Sequence, residues 1–134
     1  MKPIVLAMML LASTSISAQS QTWVDELKEN QAVREEWKGC VTFRAKEYAV
    51  FLTDSATEII QGAFGGCQHI LYKYAGAYAS IEAKVKTQRG ETVDPLKTTL
   101  QVVEDEQKSF FNQAIDAVLG IRLELAKKRK QEQK

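Results

Sequence analysis

The chain's two prolines are Pro3 and Pro95, so from Ile4 to Asp94 no residue locks the backbone out of a helix. Proline ends helices because it lacks an amide proton and its ring collides with the preceding turn. A long stretch without it, and almost without the every-second-residue alternation of a strand, points to helix. From Thr22 to Leu52 apolar side chains recur at Trp23, Leu27, Val33, Trp37, Cys40, Val41, Ala45, Tyr48, Phe51 and Leu52. Steps of mainly three and four trace one helical stripe. Thr22 followed by Asp25 is a candidate cap for this first helix, and Asn30 is a point where it could break.

Two further starts carry local chemistry. Ser55 precedes Glu58 by three residues, the spacing at which serine takes the third amide proton and glutamate reaches back to the cap amide. A second helix is expected from there, with its stripe at Ala56, Ile60, Ala63, Cys67, Ile70, Leu71, Tyr74, Tyr78, Ile81 and Val85. It should fade near Thr87, with Gly90 as the turn residue. Asp94-Pro95 supplies a cap followed by proline at the first helical position, where its missing donor costs nothing. Leu96, Leu100, Val103, Gln107, Phe110, Ala114, Val118, Ile121 and Leu125 then alternate steps of four and three. That is a coiled-coil-like seam of about four heptads.

The first twenty residues read differently. Lys2 precedes the apolar run Ile4–Ala12, and small polar residues follow. A run of that length is far short of the ~20 residues of a membrane anchor and matches a secretion signal. Cleavage after Ala18 or after Ser20 would leave a single domain over 21–134. The expected location is the periplasm, or the medium if secretion continues. With Lys2 removed, 17 basic residues face 17 acidic ones, and that balance argues against a nucleic-acid partner. The charge is uneven, however. Residues 122–134 hold six basic and two acidic side chains, and the basic tail 126–134 contains Lys127, Lys128, Arg129 and Lys130.

An exported chain with two cysteines is expected to pair them. Register agrees. Cys40 and Cys67 are equidistant from the turn at Thr53-Asp54-Ser55, so in an antiparallel hairpin they come level. The expected fold is therefore all-α. Three long helices form an antiparallel up-down-up bundle whose first two helices are a disulfide-stapled hairpin. A disulfide holds its Cα atoms closer than packed helices usually approach. Gly39, Ala63, Gly65 and Gly66 are accordingly expected to let the helices close in, with Gly62 extending the small patch; a kink at Gly65-Gly66 is the rival reading.

Motifs of chemistry are sparse. The sole histidine, His69, has no second histidine and no CxxC to share a metal with, and a structural zinc needs four ligands. No metal or cofactor is expected. Glu35-Glu36 and Glu104-Asp105-Glu106 are consecutive residues that fan around a helix and read as solvated faces. No G-x-S-x-G nucleophile motif occurs. His69, Tyr72 and Lys73 form one candidate partner surface, and the basic tail is another. The tail would also make weak contact with an anionic envelope surface, and the third helix could support homo-oligomers.

Residues 37–67 resemble small secreted helical proteins of Gram-negative bacteria with a cysteine on each arm of a hairpin. That resemblance implies no activity. Trp37-Lys-Gly-Cys40 also resembles the start of small periplasmic acid-stress chaperones, which are helical with one disulfide; the long regular helices here depart from them. The leading expectation is a non-catalytic interaction protein: an inhibitor, an immunity-type binder or an envelope accessory factor. The alternative is a periplasmic stress chaperone, and a hydrolase with an unconventional site is a third reading.

Overall fold

The computed structural model describes residues 14–133, with side chains from Thr22 onward. Most of the expected secretion segment, residues 1–13, lies outside the described residues. Three helices account for nearly all the rest: α1 (Thr14–Phe51), α2 (Ala56–Gln88) and α3 (Pro95–Glu132). At 1.5 Å per residue they are roughly 50–57 Å long. The second and third begin where their caps place them. Ser55 Oγ accepts from the Glu58 amide while Glu58 accepts from the Ser55 amide, and Asp94 Oδ1 accepts from the Leu96 and Lys97 amides with Pro95 in the first turn.

The first helix departs from expectation. It is already helical at Thr14, eight residues before Thr22, and runs through Asn30 without a break. Thr22 is therefore interior and cannot be an N-cap. No proline or glycine lies between Thr14 and Gly39 to stop the helix. Asn30 is itself buried, so it belongs to the packed face instead of marking a break. The second helix is continuous through Gly65-Gly66, as the close-packing reading expected and the rival reading of a break there did not. Just past its end stands Gly90, whose φ of 75° is a conformation open to glycine and strained for other residues. The Gly90 amide donates to Thr87 O and the Glu91 amide to Lys86 O, closing the helix in a Schellman arrangement.

Contact order along the helices sets their directions. Glu26 meets Lys84, Cys40 meets Cys67, and Tyr48 lies beside Gly62, so one index falls as the other rises between α1 and α2. Between α1 and α3 both rise together, from Arg34–Glu106 to Trp37–Phe110. The core is centred on Trp37, fully buried and stacked on Phe64 at 5.9 Å with Phe110 tilted against it at 5.4 Å. Val41, Ala45, Ile59, Ile60, Ala63, Cys67, Leu71, Ala75, Ala114 and Val118 complete it. Among the described residues the buried Trp37 indole N–H has no hydrogen-bond partner, an unfavourable term accepted for the aromatic cluster. The fullest interface is α1 with α2, and the thinnest is α1 with α3.

Candidate functional site

Cys40 and Cys67 form the disulfide, with Cα atoms 6.0 Å apart. The small residues around it behave differently from expectation. Ala63 is fully buried in the core. Gly66 borders the Arg44 side chain, and Gly62 borders the Tyr48 ring. Gly39 and Gly65 border nothing within 4 Å of where a Cβ would stand, and both are exposed. These two do not bring the helices together, because Gly39 sits one position before Cys40 and Gly65 two before Cys67, about 100° and 200° away from the bonded cysteine around the helix. Ala63 lies in the shared core, and Gly62 and Gly66 stand against the long side chains Tyr48 and Arg44 of α1.

The charged clusters resolve into pairs. Arg34 Nε donates to both carboxylate oxygens of Glu106 at 2.8 Å across the α1–α3 interface. This bond is the main reason the Arg34 pKa lies above its ordinary value. Burial raises the pKa of the Tyr74 phenol, and the Glu106 charge adds to the effect. Glu104 pairs with Lys108, Glu35 with Lys38 and Glu82 with Lys86. Glu106 is thus not part of a solvated face as its neighbours are. Among the described residues no three of histidine, cysteine, aspartate and glutamate converge to hold a metal ion.

His69, Tyr72 and Lys73 share one exposed face of α2. Lys127, Lys128, Arg129 and Lys130 are exposed on the last turns of α3. Arg122 donates to the carbonyl oxygens of Leu52 and Asp54, which sets that point of α3 level with the α1–α2 turn. By helical rise the two sets are then roughly 30 Å apart along the bundle. They do not form one surface.

The opposite end holds a feature that periodicity did not reveal. Leu96 lies seven residues before buried Val103, Leu100 three before it, Leu27 three before buried Asn30, and Tyr78 four after buried Tyr74. All four share the inward phase of their helices, yet Leu96 is 68% exposed, and Leu27, Leu100 and Tyr78 are exposed as well. The Arg34–Glu106 register places Leu27 about level with Thr99, beside Leu100. Below that ion pair, these apolar side chains therefore stay uncovered. The sequence signal that finds these residues is the stripe itself. It says which way a side chain points but not whether a neighbour meets it. Among the described residues no helix is long and apolar enough to cross a membrane. Comparison with protein families, with curated proteins and with solved structures gives no match.

Proposed function

We propose that the chain is an exported, non-catalytic binding protein of the cell envelope that receives an apolar helix of a partner protein on this uncovered apolar surface. One observation carries this reading: Leu27, Tyr78, Leu96 and Leu100 point inward but remain exposed. Leaving large apolar side chains half in water forgoes on the order of 1 kcal/mol apiece, and apolar helix faces are a recurring partner of such surfaces. The disulfide supports an oxidising compartment. It also staples α1 to α2, leaving α3 as the wall that can adjust.

The test compares the wild-type chain with Leu96→Ser/Leu100→Ser as bait in envelope extract. One or a few defined proteins should be retained by wild type and lost with the variant, while both stay monomeric and equally helical. Concentration-dependent dimers of wild type that the variant cannot form would assign the surface to a second copy and overturn the reading. A stress-chaperone role is the second reading, favoured by further exposed apolar side chains at Phe43, Phe51 and Leu119. It requires suppression of a model client's aggregation somewhere between pH 2 and 7, and unspecific binding of many clients in place of a few.

A further inference from the structure

Beyond Arg122, level with the α1–α2 turn, α3 continues to Glu132. Ten residues of helix, about 15 Å, thus project past the body of the bundle. Lys127, Lys128, Arg129 and Lys130 are all exposed there, and among the described residues none of them is in an ion pair. Leu119 and Leu123, one turn apart and both more than half exposed, precede them. Leu119, Leu123, Lys127 and Lys130 follow steps of four, four and three, so they form one strip. Core-facing Ala114 and Val118 lie on the other side of α3. The strip consequently faces away from α1 and α2, and a plane can touch it without meeting the rest of the bundle.

We propose that this strip docks on an anionic lipid bilayer surface, with the leucines at the acyl boundary and the basic residues among the headgroup phosphates. Cations alone would suit any polyanion, but a polysaccharide or nucleic acid offers the leucines nowhere dry to go. A lipid interface provides both. The arrangement of charge favours lipid over an acidic protein. Four consecutive basic residues at steps of about 100° surround the helix, and one protein face would leave Lys128 and Arg129 unmatched. Headgroups can meet long side chains that bend down from every flank. Two leucines and four cations give a peripheral, reversible attachment.

Vesicle co-sedimentation tests this with the full chain and variants that share its N-terminus. Phosphatidylglycerol/phosphatidylcholine vesicles should bind the protein at low salt, and phosphatidylcholine alone should bind it far less. Each basic residue near an anionic surface strengthens partitioning roughly fivefold. Replacing Lys127, Lys128, Arg129 and Lys130 together by glutamine should therefore weaken binding on the order of several hundred-fold. Leu119→Ser/Leu123→Ser should weaken it about tenfold or more, with helicity unchanged. In Leu123→Trp, emission should shift to the blue on anionic vesicles. Equal binding to both vesicle types, an undiminished quadruple variant, or vesicle binding with no shift at position 123 would each overturn the proposal. Equally tight binding to poly-glutamate would also overturn it, by assigning the strip to acidic protein.

Discussion

Gly66 lies against Arg44: a Cβ at position 66 would come within 3.0 Å of Arg44 Cδ and 3.1 Å of Nε. The glycine accommodates a neighbour's side chain, and the disulfide does not need it for room. Arg44 is long, flexible and only partly buried, so it can swing aside. Gly66→Ala should then change stability by less than about 0.5 kcal/mol, the lost contact offsetting the gain in helix propensity.

Gly39 and Gly65 have open space where a Cβ would go, so alanine at either should stabilise the fold by about 0.5–1 kcal/mol. Thermal melts of Gly39→Ala and Gly65→Ala check this, with thiol titration showing the cystine intact in both. A loss of more than 1 kcal/mol at Gly65 would restore a close-packing role.

The disulfide closes a loop with a sequence separation of 27, for which chain entropy gives about 3.5 kcal/mol. Cys40→Ala/Cys67→Ala should lose about that much in urea unfolding with little change in native helix content. Dithiothreitol should lower the wild-type midpoint toward that of the variant and leave the variant's where it was. A loss below 1 kcal/mol would mean that packing around Trp37 already holds the hairpin together.

These outcomes divide along what sequence can encode locally. Ser55, Glu58, Asp94 and Pro95 act within one turn of their own position, so their effect was legible. The cysteine pairing was legible because two residues equidistant from a turn need no further information. The place of Thr22 inside α1 was not, since no breaker precedes it and an interior threonine looks like a cap. Arg34 and Glu106 are 72 residues apart, and only the assembled α1–α3 interface brings them together. Leu96, Leu100 and Tyr78 had the correct phase for a core, but phase does not fix whether a third helix closes over them.

Arg34 and Glu106 are both largely covered, with 27% and 13% of their side-chain surfaces accessible. Arg34→Met alone should destabilise by about 1–2 kcal/mol. It strands a half-buried carboxylate, a penalty moderated by the water that still reaches the pair. Arg34→Met/Glu106→Leu should recover much of that loss, because apolar replacement of a covered ion pair is often neutral. A double-mutant cycle in urea measures the coupling, and a value near zero would demote the bond to a surface contact.

Acid should weaken the start of α2 in a defined direction. Glu58 accepts from the Ser55 hydroxyl at 2.7 Å and from its amide at 2.9 Å, and these bonds hold its carboxyl below the ordinary value of 4.5. A depressed folded value means that the unfolded chain binds the proton more readily, so stability rises with pH through this window. The contribution is fully present above about pH 4.5 and disappears as pH falls through the lowered value. The stability difference between wild type and Glu58→Gln should therefore be greatest near pH 7 and shrink below pH 4. Ser55→Ala removes the other half of the box and should cost about 1 kcal/mol at pH 7. It should also return the Glu58 titration, followed by NMR at its side-chain carboxyl carbon, toward the ordinary glutamate range. A Glu58 titration unmoved by Ser55→Ala would show that the depressed value has another source, such as the N-terminal dipole of α2.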